Sequence, residues 1–245
     1  MSDERVPRLR SVENAEDWER VLAAAAHLQQ IVPDAVLVGG SAAAMYVDHR
    51  FSRDDDHVVA DLKDRFDRVL AELERIANWN TARIQRPVLI LGQLDGVDTG
   101  VRNLIRVAPL ETAVVETAYG KITLPTIDEM LRIKAWLTVK RNATRDYIDV
   151  AALSERIAAD RGRDAVTTAI LQMDALYPQQ NGAAVSLQVA RQLAEPKPFD
   201  FDAGEGLRIY RIRSPRWNEW SDVSARLEIL GALLLRSFSR TNSSP

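Results

Sequence analysis

Apolar positions recur along this chain in two rhythms, a helical one and a strand-like one. From residue 12 to 31, Val12, Trp18, Val21, Leu22 and Leu28 return near helical spacing, which predicts a helix that Pro33-Asp34 breaks. Residues 1–10 carry no such rhythm and read as frayed. Residues 35–38 form a short apolar run, a buried strand, with a helix over 41–47 after it and a second strand over 54–61. A helix over 63–77 turns Phe66, Val69, Leu70 and Leu73 inward. Residues 87–94 are apolar and β-like, and Asp95-Gly96 is a tight-turn signal that returns 97–107 as the second arm of a hairpin. A further short strand is expected over 121–124.

The character then changes. Thr126-Ile127-Asp128-Glu129 after Pro125 is a capping box: the Thr126 hydroxyl can accept from the Glu129 amide while the Glu129 carboxylate reaches back to the Thr126 amide. A helix to about residue 140 follows, then a short connection, then a helix from Thr144 to about residue 159. Helices are expected over 163–176, 182–194 and 217–238, with 196–206 as loop or linker. Strands cluster in the first half and helices alone fill the second. The expected fold class is α/β (α+β): a mixed sheet flanked by helices, then a helical C-terminal half. The division falls near residue 125, giving a catalytic α/β domain over 1–125 and a helical domain over 126–245 that completes the active site.

Composition narrows the chemistry. The 245 residues can bury a substantial core. Without cysteine there are no disulfides, thiolate nucleophiles or cysteine zinc sites. The histidines, His27, His49 and His57, stand at no zinc-like spacing. No apolar run approaches a membrane span and the start has no apolar signal core, so a cytoplasmic protein with no membrane partner is expected. The formal charge of −3 argues against holding nucleic acid by bulk positive charge. Two local basic clusters remain, Arg208, Arg211, Arg213 and Arg216 interleaved with Tyr210 and Trp217, and Lys140, Arg141 and Arg145. Each reads equally as a solvated surface.

Candidate chemistry gathers in the first half. Gly39-Gly40-Ser41 lies where a strand runs into a helix, which leaves backbone amides free at a helix N-terminus, a setting that favours phosphate. The Ser41 hydroxyl can add a donor. A tight turn explains the glycines as well. Asp54 and Asp56 project from one face of the following strand, and a divalent cation relieves their repulsion. An acidic surface loop is the plain alternative. A third carboxylate should come from a neighbouring strand; Asp98 is the first choice and Asp95, explained by its turn, the second. Lys134 rises among Met130, Leu131 and Leu137, and either snorkels outward or meets an anion in a cleft. Asp146 suits a helix N-terminus, and Arg145 with Asp149 can form a surface i,i+4 pair.

Together these pieces resemble the nucleotidyltransferase-like AbiEii toxin family of the DNA polymerase β-type nucleotidyltransferase superfamily. The resemblance rests on Gly39-Gly40-Ser41, on His49-Arg50-Phe51-Ser52-Arg53-Asp54-Asp55-Asp56, on Lys134, and on Arg145-Asp146-Tyr147-Ile148-Asp149, and covers about residues 35–155. It implies a nucleotidyltransferase-like sheet and Mg²⁺-dependent transfer of a nucleotide from an NTP to an acceptor hydroxyl such as a tRNA end. It also implies a toxin–antitoxin or phage-defence role with a cognate antitoxin protein as partner. The residues expected to act are Asp54, Asp56, Lys134 and Asp146. Gly39, Gly40, Ser41, Ser52 and Arg145 would bind substrate, and Asp54, Asp56 and Asp98 the metal. Alternatives are nucleotidylation of a protein or an antibiotic, or an impaired enzyme that acts by binding NTP or a partner. The chain departs from the family at Asp55 and His57, which stand where an apolar and an aromatic residue are usual. Both fall on the strand's other face, which predicts that this face is partly open or that the strand lies at a sheet edge.

Overall fold

The computed structural model describes residues 15–106, 108–179 and 182–241. The expectations for residues 1–10, for the first residues of the 12–31 helix and for Val107 lie outside these. Within them the chain runs α1 (Ala15–Ile31), β1 (Val36–Val38), α2 (Gly39–Val47), β2 (Asp55–Val59), α3 (Leu62–Glu74), β3 (Trp79–Gln85), β4 (Leu89–Leu94) and β5 (Val97–Asn103). There follow β6 (Thr112–Thr117), β7 (Gly120–Pro125), α4 (Ile127–Lys140), α5 (Thr144–Arg161), α6 (Arg163–Leu171), α7 (Met173–Leu176), α8 (Val185–Ala194) and α9 (Trp220–Thr241).

Five strands make one mixed sheet in the order β1-β2-β5-β4-β3. β2 runs parallel to β5 and every other pairing in this sheet is antiparallel. The hairpin expected over Asp95-Gly96 forms: both residues take positive φ, 53° and 78°, the twist that suits a two-residue turn. Asp95 accepts from the His27 ring at 2.7 Å and the Asn78 amide at 2.8 Å, which accounts for it structurally. β6 and β7 form a separate ribbon.

Two strands are absent from the sequence reading. β3 lies at the sheet edge with most of its side chains in solvent, and β6 alternates only between exposed and half-buried, so neither leaves an apolar pattern. The helix expected over 163–176 is split at Gln172, which caps α6 and precedes α7. α8 starts at Val185 and α9 at Trp220, later than the apolar rhythm suggests, because Trp217 is buried from a short 3-10 turn instead.

Burial fixes the layers. Leu62, Phe66, Val69 and Leu73 of α3 pack on Val59, Ile90 and Val101 of the sheet. Each such side chain contributes roughly 1.5–3 kcal/mol when fully buried. A second core joins Leu37 of β1 and Ala42 and Ala43 of α2 to Leu131 of α4, Tyr147 and Leu153 of α5, Val189 of α8 and Leu230 of α9. The helices after β7 therefore close over the start of the sheet, where the candidate chemistry lies. Half of the expected capping box forms: Thr126 accepts from the Glu129 amide at 3.3 Å. The Glu129 carboxylate turns instead to Arg106 and Arg132, a buried ion-pair cluster.

Candidate active site

The parallel register of β2 and β5 sets Asp55 opposite Thr99 and Asp56 opposite Gly100. Alternation then puts Asp56, Gly100 and Asp98 on one face, with Asp54 just before the strand. Gly100 has a steric reason: a Cβ there would lie 2.6 Å from Asp56 Oδ1. Gly39 abuts the same carboxylate, its Cβ position 3.6 Å from Asp56 Oδ2, and its φ of 77° is one that side chains rarely take. The glycine turn and the acidic strand thus meet.

Asp54 feels all of this. Partial desolvation, then the Asp56 and Asp98 carboxylates, raise its pKa, against Arg145 and Arg50. This mutual repulsion and the all-oxygen donor set suit a hard divalent cation such as Mg²⁺, which commonly takes one or two carboxylates plus substrate phosphates. Among the described residues, no three His, Cys, Asp or Glu side chains stand at metal-ligand spacing. Asp56 instead contacts Arg102 at 3.4 Å and Asp98 accepts from the Gln93 amide at 2.8 Å. Closure around a cation would need side-chain rotations away from these partners.

The glycine turn forms the first residues of α2, two residues earlier than the pattern predicts. The Ser41 hydroxyl donates to the Asp54 carbonyl oxygen at 2.6 Å and is fully buried. It therefore holds the start of β2 against α2, and its proton is not offered to a phosphate. Gly40 is compelled by crowding: a Cβ would meet Ser52 Oγ at 2.7 Å and Arg50 Nη2 at 2.8 Å.

Lys134 neither snorkels nor faces an open cleft. Its side chain is 1% exposed, and its ammonium lies 2.6 Å from Asp149 Oδ2 and 3.7 Å from Asp146 Oδ1. Asp149 is the centre the sequence reading missed. It is not a surface partner of Arg145; it is fully buried and also accepts from the His49 ring at 2.7 Å and the Arg50 Nε at 2.6 Å. Burial works against its charge, but Arg50, Lys134 and His49 outweigh that and hold its carboxyl well below the ordinary range. The available signal was helical phase: Asp146 and Asp149 continue the stripe of Leu153 and Ile157, both of which are buried. Asp146 is also buried, and Arg141 grips it in a bidentate pair at 2.5 and 2.7 Å. Arg141 is partly exposed and lies within electrostatic reach of Asp56. Arg145 is exposed and within reach of Asp54.

The departures from the family pattern do not open the fold. Asp55 and His57 are fully buried and β2 is an interior strand, so the expectation of an open face or an edge strand is overturned. His57 Nδ1 lies 3.3 Å from Asp55 Oδ1. Burial pushes the His57 ring down to about 3 and the Asp55 carboxyl well up, favouring the neutral form of both. The basic cluster after residue 207 is tied into the chain. Arg213 pairs with Asp48 at 3.0 Å and lies over Phe51, Arg216 pairs with Glu155 and Asp222, and Ile212 bridges to Arg50.

No family model matches the sequence. The fold is similar to that of an inferred nucleotidyltransferase from H. pylori, at TM-score 0.51 and 12% identity, over 94% of this chain and 98% of that one. The fold is therefore nucleotidyltransferase-like. The antibiotic-resistance factor ANT(2'')-Ia aligns over 65% of this chain and 95% of its own at TM-score 0.43 and 11% identity, too distant to weigh. Among curated sequences, the probable transport protein MmpL11 of Mycobacterium leprae is 28% identical over 140 residues, 54% of this chain and 12% of that protein. The mycolic acid-containing lipids exporter MmpL11 of Mycolicibacterium smegmatis is 32% identical over 108 residues, 42% of this chain and 11% of that protein. The chain thus spans about a tenth of the curated relatives it matches. No helix among the described residues is long and apolar enough to cross a membrane.

Proposed function

We propose that this chain is a Mg²⁺-dependent nucleotidyltransferase of the AbiEii-like kind, which moves a nucleotide from an NTP to an acceptor hydroxyl. The carrying observation is the meeting of the Gly39-Gly40 turn with Asp56, beside Asp54 and Asp98, in a nucleotidyltransferase-like sheet. Bound by Asp54 and Asp56 with Asp98, Mg²⁺ would supply charge neutralisation at the phosphates and acidify the acceptor hydroxyl.

The chain's own residues do the rest. Amides of Gly39 and Gly40 at the start of α2 cradle the triphosphate. Arg145, and Arg141 beside it, face the added negative charge. The acceptor oxygen bonds to the α-phosphorus as the bond from that phosphorus to the bridging oxygen breaks, and pyrophosphate leaves. The hydroxyl proton passes to a carboxylate oxygen of Asp54 or Asp98. Lys134 and Asp146 act from behind, fixing Asp149 and Arg141. Ser41 and Ser52 position the loop that carries Asp54.

The resemblance extends the proposal: a toxin of a bacterial toxin–antitoxin or phage-defence pair, acting in the cytoplasm on a tRNA end, with a separately encoded antitoxin. Incubation with labelled NTPs, Mg²⁺ and total tRNA is expected to label RNA, and D54A/D56A to abolish the label. Equal labelling by the double variant would refute the assignment of the site. A second reading, NTP binding without transfer, draws on the Arg102 contact to Asp56. Calorimetric binding of Mg²⁺-NTP with no product in any acceptor mixture would favour it.

Gly100→Ala gives a sharper test. Its methyl would meet the movable end of Asp56, so the fold survives with about 1–2 kcal/mol lost to overpacking. The displaced carboxylate should lower the transfer rate at least about tenfold, the equivalent of ~1.4 kcal/mol. A normal rate at unchanged Mg²⁺ requirement would show that Asp56 is not engaged.

A further inference from the structure

The ribbon of β6 and β7 has two outer edges, and the fold covers one of them. The Thr126 amide donates to the Glu111 carbonyl oxygen at 2.8 Å, which sets the phase of the ladder between the strands. In an antiparallel pair, residues alternate between bonding the partner strand and turning their N–H and C=O outward. The outward residues are therefore Thr112, Val114 and Glu116 on β6, and Lys121 and Thr123 on β7. On β7 that edge is used. The Thr123 amide donates to Gln29 Oε1 at 2.7 Å, and Gln29 Nε2 donates to the Thr123 carbonyl oxygen at 2.8 Å. On β6, no described residue bonds the outward backbone groups of Thr112, Val114 or Glu116.

Nothing in β6 blunts this edge. Edge strands usually carry a bulge, a proline or a lysine that deters a further strand. β3, at the edge of the larger sheet, has a bulge between Thr81 and Arg83. β6, Thr112-Ala113-Val114-Val115-Glu116-Thr117, has none of these and keeps an unbroken register with β7. Its valines and threonines favour the extended chain. Val115 packs inward on the core, while Val114 is 59% exposed with Thr112 and Glu116 exposed beside it.

We infer that the β6 edge binds the β6 edge of a second copy of this chain, antiparallel, about a twofold axis at Val114. The strand is self-complementary in that register. Val114 meets its own counterpart and Ala113 meets Val115. The Thr112 hydroxyl can donate to the Glu116 carboxylate of the second copy, once on each side of the axis. The outward residues then exchange about six backbone hydrogen bonds, and the two ribbons join into one sheet. An axis at Glu116 would instead oppose two carboxylates, and one at Thr112 would leave most of the strand unpaired. This contact stands or falls independently of the transferase reading.

Sedimentation of the full chain from about 1 µM to about 500 µM tests this, because a contact this narrow is weak. The wild type should pass from monomer to dimer across that range. Val114→Pro removes the outward N–H and spares the ladder to β7, a setting in which edge strands tolerate proline. It should keep the far-UV spectrum of the wild type and raise the dimer dissociation constant at least about tenfold. Cysteine cross-linking reads the register, since the chain has no cysteine of its own. Across the axis the Val114 Cα atoms would stand about 5.5 Å apart, within disulfide reach, so Val114→Cys should cross-link on mild oxidation. Glu116→Cys, about 13 Å from its counterpart in that register, should not. A wild type that stays monomeric throughout overturns the inference. So does a dimer that Val114→Pro leaves unchanged, or one in which Glu116→Cys cross-links as readily as Val114→Cys. Should Val114→Pro fail to fold, the two cysteine variants decide alone.

Discussion

Asp149→Ala should cost about 3–5 kcal/mol of folding stability, because it strands buried cations rather than removing a surface pair. Arg50, His49 and Lys134 all direct hydrogen bonds or charge at this one carboxylate, and all are buried with it. Asp149→Asn keeps the shape and removes the charge, so it should lose a large share of the same energy. The carboxyl lies well below its unfolded value of 3.8, so its contribution is present above pH 3.8 and disappears as pH falls through the folded value. Urea unfolding of wild type and both variants at pH 7 is the measurement. A loss below about 1 kcal/mol in Asp149→Ala, the scale of an exposed pair, would contradict the buried-hub account. Because Arg50 also crowds Gly40, loss of the hub should loosen the loop that delivers Asp54.

The second large effect has the opposite sign. Replacing Asp55 and His57 together by valine should stabilise the chain by about 1–4 kcal/mol at pH 7, as when other buried polar pairs give way to apolar packing. Neither carboxylate oxygen nor either ring nitrogen has a hydrogen-bond partner among the described residues. The pH dependence follows from proton counts. His57, at about 3 in the fold against 6.5 unfolded, weakens the wild type increasingly as pH falls below 6.5. Asp55, whose folded carboxyl is raised well above 3.8, weakens it increasingly as pH rises above 3.8. The double variant carries neither penalty. Stability curves at pH 5, 7 and 8 measure it; a less stable variant would show that the pair is satisfied in the fold.

These two sites also mark how far the sequence could be read. The face of Asp54 and Asp56, the hairpin at Asp95-Gly96 and the helix cap at Thr126 follow from local periodicity and turn chemistry, and the fold keeps them. Asp149 does not, since at short range its charge fits a surface pair with Arg145 equally well; its burial depends on His49 and Arg50, a hundred residues away. Ser41 is similar: a hydroxyl after two glycines suits a phosphate, yet tertiary packing gives its proton to the Asp54 carbonyl. Trp79–Gln85 becomes a strand through pairing with β4, while its own side chains stay largely in solvent. Interior positions with a period were readable. Positions settled by a partner distant in sequence were not.

Transfer from position-labelled NTPs tests the central claim most directly. With α-labelled NTP, Mg²⁺ and total tRNA, the label should enter the acceptor. With γ-labelled NTP it should be released as pyrophosphate, and D54A/D56A should show neither. Transfer of the γ-label, or α-labelling that survives loss of both carboxylates, would contradict nucleotidyl transfer at Asp54 and Asp56.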